Sequence, residues 1–221
     1  SKGVKHMVGD CAYGDMTVFS YHPVKHIATG EGGSVTTNRK DLFEKLSLYR
    51  THGITHDPKL LTKVDGGWYY EMQELGYNYR ITDFQAALGI SQLSRLDWSI
   101  ERRQVIAARY NEAFAGTSII TPKVNESVSH AYHLYVIQIE NRKELYDYLR
   151  TQNIFAQVLY VPTHLMPYYR QFGWKDGDCP AAENYYAHCL ALPMFPSLTE
   201  EEQEYVIEKV LWFIKGNNAY K

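Results

Sequence analysis

Hydrophobic and polar residues alternate along the chain with two periods, one typical of strands and one of helices. Residues 16–21 read MTVFSY, which predicts a half-buried strand, and residues 34–37 predict a second strand after a loop with one proline and three glycines. A helix is predicted over residues 39–49, with Asn38 as its cap. Residues 51–79 show no clear period, and loops of this length are often functional.

Helix-start signals organise the rest of the chain. Thr82-x-x-Gln85 is a capping box that predicts a helix to about Leu96, and the helical period then resumes and ends near Gly116. Beyond it, the pattern predicts strands over 132–139 and 155–161, helices over 141–151 and 181–190, and a final helix opened by Thr199-x-x-Glu202. Because strands and helices alternate in both halves, the sequence predicts an α/β fold with a domain boundary near residues 105–118.

Composition excludes several classes of protein. The 221 residues are 45% apolar and 22% charged, as in globular proteins, and no apolar run is long enough to span a membrane. With 23 basic and 25 acidic residues the chain has no basic excess for nucleic acid. Three distant cysteines without a C-x-x-C favour reducing cytoplasm over a disulfide scaffold or a thiolate zinc site, and no signal peptide is visible. The histidine pairs spaced four residues apart fall in predicted loops, so no metal site is expected.

Lys25 is the first candidate for chemistry. It lies between a strand end and a glycine-rich turn, where a backbone can approach a ligand closely. It could be a solvated surface lysine, or a Schiff-base lysine made nucleophilic by desolvation or by a cationic neighbour. The local sequence leaves both interpretations open.

Three ordered segments resemble the DegT/DnrJ/EryC1/StrS sugar aminotransferases. Residues 20–33 read SYHPVKHIATGEGG and resemble the family's lysine motif, and residues 74–89 read ELGYNYRITDFQAALG and match the next motif. Residues 190–199, LALPMFPSLT, resemble the C-terminal signature. Within the family, HPVKH and residues 157–164, QVLYVPTH, are most similar to transaminases of the pseudaminic-acid pathway.

The resemblance implies a fold-type-I transferase that depends on pyridoxal 5′-phosphate. Lys25 would attach the cofactor covalently and move the proton in catalysis, and Ser20 would supply a hydroxyl to the cofactor phosphate. Asn78 would reach the phosphate from a neighbouring subunit, so the resemblance implies a homodimer with shared sites. Considered alone, Asn78 could equally be a capping amide.

The resemblance also implies a substrate site. The substrate would be a UDP-linked 4-keto-6-deoxy sugar that accepts nitrogen at C4, with glutamate as the expected amino donor. Arg80, Tyr160 and His164 are the expected substrate-binding residues. Arg80 could instead form a structural ion pair, and His164 could be a loop histidine without a role.

Family members carry about as much sequence again before this region, including an aspartate that pairs with the pyridine nitrogen. Asp10 and Asp15 lie too close to Lys25 to match it. The resemblance therefore implies that residues 1–110 are the C-terminal part of the large domain and residues 111–221 the small α/β C-terminal domain. A missing N-terminal half is the expected partner, and the 221 residues alone are expected to be inactive. A non-catalytic fragment that only binds or assembles is one alternative, and a sugar dehydratase is another, although dehydratases of this fold carry histidine in place of Lys25.

Overall fold

The computed structural model describes residues 3–218, which form two compact units. We call them the N-terminal unit, up to Leu96, and the C-terminal unit, from Asp97. This division lies somewhat before the boundary expected near residues 105–118. The assignment of 1–110 and 111–221 to a large and a small domain stays a prediction.

The N-terminal unit contains two antiparallel strand pairs and two helices in its described part. Its elements are β1 (Thr17–Ser20), β2 (Gly33–Thr36), α1 (Lys40–Tyr49), β3 (Ile54–Thr55), β4 (Glu71–Met72) and α2 (Asp83–Leu93). β1 pairs with β2, and β3 with β4. The capping box of α2 is confirmed, but the predicted cap of α1 is wrong, because the Asn38 amide donates instead to the main-chain oxygen of Asp10 at 2.7 Å.

Few side chains of the N-terminal unit are buried. Of residues 3–96, only Thr29 and Gly53 are buried. Large hydrophobic side chains are open to solvent, with exposed fractions of 75% for Val18, 63% for Phe43 and 90% for Phe84. This unit therefore holds its shape through backbone hydrogen bonds and tight turns more than through a hydrophobic core.

The C-terminal unit contains the hydrophobic core. Its elements are α3 (Leu96–Ala113, whose first residue belongs to the N-terminal unit), β5 (Tyr135–Gln138), α4 (Arg142–Thr151), a 3-10 helix (Thr163–Leu165), α5 (Pro167–Arg170), α6 (Pro180–His188), β6 (Cys189–Leu192) and α7 (Glu200–Asn218). β5 and β6 pair antiparallel, and side chains from α3, α4 and α7 pack with them into one buried cluster. Tyr110, Leu149 and Val210 contribute to it from the three helices and are 0% exposed.

Three predictions for the C-terminal unit need correction. The strand expected over 132–139 begins only at Tyr135, because Tyr132 has a left-handed backbone with φ +46°. The segment 155–161 is not a strand and forms only an isolated bridge between Gln157 and Ala191. The helix expected to reach 190 ends at His188, and the chain passes directly into β6, which the pattern missed.

Candidate functional site

Lys25 lies in the loop between β1 and β2, which backbone hydrogen bonds close at its base. The N–H of Tyr21 donates to the oxygen of Gly32 at 2.8 Å, and the N–H of Thr29 donates to the oxygen of Tyr21 at 2.9 Å. Inside the loop, the N–H of Lys25 donates to the oxygen of His22 at 2.9 Å, which makes a tight turn. The lysine is half-buried and lies outside any helix or strand.

Two glycines are needed for this loop to meet the strands. A Cβ on Gly33 would lie 2.6 Å from the main-chain oxygen of Phe19, on the opposite strand. Gly32 has φ +145°, and a Cβ there would lie 2.8 Å from the side-chain oxygen of Thr29. The glycine-rich sequence after Lys25 therefore has a steric cause in the folded chain.

Ser20 is the last residue of β1, at the same end of the strand pair as the Lys25 loop. Its side chain is exposed, and its hydroxyl oxygen accepts a hydrogen bond from the N–H of His22 at 3.3 Å. Next to it, the hydroxyls of Tyr21 and Ser34 are 2.5 Å apart. Two of the predicted site residues, Ser20 with its hydroxyl and Lys25 with its amine, therefore lie at the end of β1 and in the loop that follows it.

Asn78 and Arg80 lie on an extended segment that leads into α2. This segment pairs with the residues after α1, because the N–H of His52 donates to Tyr77 at 2.9 Å and the N–H of Tyr79 donates to Arg50 at 3.0 Å. The side-chain oxygen of Asn78 accepts from the N–H of Arg80 at 3.3 Å. Asn78 therefore forms a local turn, and both side chains are exposed.

The predicted residues of the C-terminal unit differ in exposure. Tyr160 is 74% exposed, so its hydroxyl is open to a ligand. His164 is only 9% exposed, and its Nε2 lies 2.8 Å from the carboxylate of Glu183. Glu183 also accepts hydrogen bonds from the N–H groups of Gly177 at 2.9 Å and Cys179 at 3.3 Å.

These contacts give His164 an anchor that the sequence did not reveal. Hydrogen bonds from His164 and then from Gly177 lower the pKa of Glu183 below its ordinary value, so the carboxylate is stabilised in its charged form. The only local signal for Glu183 is its place in the first turn of α6, where an acidic residue favours the helix dipole.

Neither a group of metal-ligand side chains nor a membrane-spanning helix is found in the part of the chain that the structure describes. Among residues 3–218, no three His, Cys, Asp or Glu side chains are grouped as metal ligands would be. No helix in that range has the length and hydrophobicity needed to cross a bilayer. The predicted site residues supply a lysine amine, hydroxyls, an amide, a guanidinium and an imidazole.

Known proteins match this chain over most of its length. The DegT/DnrJ/EryC1/StrS aminotransferase family matches residues 2–211. The spore coat polysaccharide biosynthesis protein SpsC of Bacillus subtilis is 40% identical, across 96% of this chain and 56% of its own length. A UDP-4-amino-4,6-dideoxy-N-acetyl-beta-L-altrosamine transaminase of Campylobacter jejuni is 36% identical, across 93% and 53% respectively.

A solved structure with a similar fold is Helicobacter pylori PseC, an aminotransferase involved in the biosynthesis of pseudoaminic acid. It superposes with a TM-score of 0.82 at 29% identity, across 92% of this chain and 54% of PseC. The chain therefore spans about half the length of the relatives that it matches.

Proposed function

This chain belongs to the DegT/DnrJ/EryC1/StrS aminotransferase family, and on that premise we propose that the complete protein is a nucleotide-sugar aminotransferase that uses pyridoxal 5′-phosphate. It moves the amino group of glutamate to C4 of a UDP-linked 4-keto-6-deoxy sugar. Glutamate leaves as its 2-oxo acid, and the amino group replaces the carbonyl oxygen of the sugar. The observation that carries the proposal is the half-buried Lys25 on a closed, glycine-containing loop that follows Ser20, the last residue of β1.

The residues of the β1–β2 loop fit the cofactor. Lys25 supplies the amine that bonds a pyridoxal aldehyde, and Ser20 supplies an exposed hydroxyl that can donate to a phosphate oxygen. Pyridoxal phosphate, when bound, supplies an aldehyde for amines and an electron-withdrawing ring. Asn78 and Arg80 add an amide and a planar guanidinium, which suit phosphate or carboxylate oxygens.

Lys25 acts as both base and acid. Its flexible four-carbon stem lets one amine take a proton from a substrate carbon and return it to a neighbouring atom. The turn from His22 to Lys25 restrains the backbone that carries the amine. Holding the reacting groups in the right geometry contributes a large part of the rate of a proton transfer.

The substrate-binding residues of the proposal are Arg80, Tyr160 and His164. Exposure of Arg80 and Tyr160 supports contact with a ligand. Because Glu183 engages Nε2 of His164, a contact between this histidine and the sugar would have to use the Nδ1 edge of the ring.

The names of the relatives support a sugar of the cell surface, such as pseudaminic acid. The Campylobacter relative is an altrosamine transaminase, PseC serves pseudoaminic acid synthesis, and SpsC serves a spore coat polysaccharide. We place the reaction in the cytoplasm, which is favoured by three cysteines that form no disulfide.

We propose a homodimer whose sites take Asn78 and Arg80 from the neighbouring subunit. Exposure of both side chains, together with the exposed hydrophobic residues of the N-terminal unit, supports this arrangement. The same exposed surface, and the upstream aspartate implied by the family, lead us to expect that a polypeptide limited to residues 1–221 is inactive.

The test is a transamination assay of the full-length protein with a UDP-4-keto sugar and glutamate. Lys25→Ala is expected to abolish amino-sugar formation, whereas Lys40→Ala, on an exposed side chain of α1, is expected to leave it unchanged. The polypeptide of residues 1–221 should be inactive until the N-terminal half of the protein is added. Activity of Lys25→Ala near that of the native protein would refute the proposal.

A further inference from the structure

The first turn of α2 is hydrogen-bonded to the loop that carries Lys25. The side-chain nitrogen of Gln85 donates to the main-chain oxygen of Glu31 at 2.8 Å. The side-chain oxygen of Gln85 accepts from the N–H of Thr82 at 3.1 Å and from its hydroxyl at 3.0 Å. One amide therefore closes the capping box of α2 with its oxygen and holds the loop with its nitrogen.

These partners determine which way the Gln85 amide faces. The main-chain N–H of Thr82 can only donate, so it requires the amide oxygen. The main-chain carbonyl of Glu31 can only accept, so it requires the amide nitrogen. A glutamate at this position could meet the first requirement but not the second.

The second capping box of the chain shows that a glutamate is sufficient for capping alone. At the start of α7, the N–H of Thr199 donates to the Glu202 carboxylate at 2.9 Å, and the N–H of Glu202 donates to the Thr199 hydroxyl at 3.1 Å. This box has the same spacing as Thr82 and Gln85. The amide at position 85 is therefore needed for the contact with Glu31 and not for the cap.

The carbonyl of Glu31 is the point at which this contact can control the loop. Glu31 lies between Gly30 and Gly32, which have φ +82° and +145° and no side chains to restrain them. The same carbonyl accepts from the buried Thr29 hydroxyl at 2.7 Å. Thr29 in turn packs against α2, because a Cβ on Gly89 would lie 3.1 Å from its methyl group.

We propose that Gln85 is a positioning residue, whose amide fixes the Glu31 peptide and thereby holds Lys25 in its reactive position. The inference rests on the proposed role of Lys25. Gln85 does not touch the reacting atoms; it acts through Glu31, Thr29 and the backbone that closes the loop at Tyr21.

The first measurement is hydrogen exchange of the full-length protein without cofactor or substrate. Gln85→Glu keeps the cap of α2 but loses the hydrogen-bond donor to Glu31. Because the loop is then held less tightly, backbone amides of residues 21–33 should exchange about ten-fold faster than in the native protein. Gln85→Ala should show the same change without an added charge. Glu202→Gln is the matched control, because it makes the opposite change, from carboxylate to amide, in the other capping box. It should leave the exchange rates of residues 21–33 unchanged.

The second measurement is steady-state kinetics with the UDP-4-keto sugar. In Gln85→Glu, kcat should fall about ten-fold while KM for the sugar changes less than about two-fold, because misplacing Lys25 slows chemistry without touching the sugar. Exchange that is unchanged in both Gln85 variants would overturn the inference, and so would an equal loss of kcat in Glu202→Gln. If exchange rises but Lys25 binds no cofactor, the contact is real and the proposed function alone has failed.

Discussion

Gly32 limits the shape of the Lys25 loop through both its backbone angle and its close neighbours. Its φ of +145° is one that residues with a side chain rarely adopt. A Cβ would also meet the Thr29 side-chain oxygen at 2.8 Å and the terminal carbon of Ile81 at 3.2 Å. Gly30 has φ +82°, but a Cβ there would meet no atom within 4 Å. A substitution of Gly30 therefore introduces backbone strain alone, whereas a substitution of Gly32 adds steric contacts.

We expect Gly32→Ala to lower the free energy of unfolding by about 3 kcal/mol and Gly30→Ala by about 1 kcal/mol. The difference comes from the steric contacts with Thr29 and Ile81, which only Gly32→Ala makes. Urea unfolding of the full-length protein measures both values. Equal losses in the two variants would show that Gly32 does not pack against Thr29 and Ile81 as described.

The sequence predicted contacts of single residues only where the two partners are close along the chain. The capping box of Thr82 and Gln85 has partners three residues apart, and the spacing alone revealed it. The contact of Gln85 with Glu31 spans 54 residues, and that of His164 with Glu183 spans 19. Such contacts exist only in the folded chain, so a sequence pattern cannot show them. The roles assigned to the site residues remain predictions.

Among the elements, the 3-10 helix Thr163–Leu165 and α6 are joined by the pair of His164 and Glu183. Glu183 also binds the N–H groups of Gly177 and Cys179, just before α6 begins. One carboxylate thus connects three parts of the segment between Pro162 and α6. This connection is expected to depend on pH.

The pKa of Glu183 lies below its ordinary value of 4.5 in the folded protein, chiefly because of the hydrogen bond from His164. A carboxylate with a lowered folded pKa contributes stability that is complete above its unfolded pKa and is lost as the pH falls through the folded pKa. We therefore expect the native protein to lose stability as the pH falls below 4.5, and Glu183→Gln to be less stable at pH 7 with a smaller further loss in acid.

Thermal unfolding measured from pH 7 to pH 3 tests this expectation. Glu140→Gln is the control, because Glu140 is 89% exposed and lies 3.9 Å from its nearest histidine nitrogen. It should follow the native pH profile. A pH profile of Glu183→Gln that is parallel to the native one would mean that protonation of Glu183 does not cause the loss of stability in acid.

The sequence pattern predicted which residues of a segment are buried better than it predicted which segments pair in a sheet. Alternation over 155–161 is real, since Ile154 and Ala156 are buried and Phe155 is exposed, but only Gln157 makes backbone–backbone hydrogen bonds to β6. β6 itself is apolar at all four positions, so its sequence could not be distinguished from the end of the preceding helix. Helices with capping boxes were the elements whose starts the sequence predicted best.

For the whole molecule, the two units differ in how they are stabilised. The C-terminal unit buries its own hydrophobic cluster, whereas large hydrophobic side chains of the N-terminal unit are exposed. The chain also spans about half the length of its relatives. A surface of this kind is suited to contact with further polypeptide, which agrees with the proposed shared sites.

Shared sites predict complementation between inactive variants. Arg80→Lys keeps the charge but loses the planar donor fork, and Lys25→Ala loses the amine. Mixed under conditions of subunit exchange, the two should recover about a quarter of native activity, since half of the dimers are mixed and each has one intact site. The absence of recovery, with exchange shown by mass spectrometry, would mean that each site is built within one chain.

Chemical labelling shows which lysine binds the cofactor, and Lys25 is the one that we propose. The full-length protein is incubated with pyridoxal phosphate, reduced with borohydride and digested, and the labelled peptide is identified by mass spectrometry. We expect a visible absorbance band that disappears on reduction, with the label on Lys25 in the peptide that contains HPVKH. A label on another lysine, with Lys25 unmodified, would contradict it.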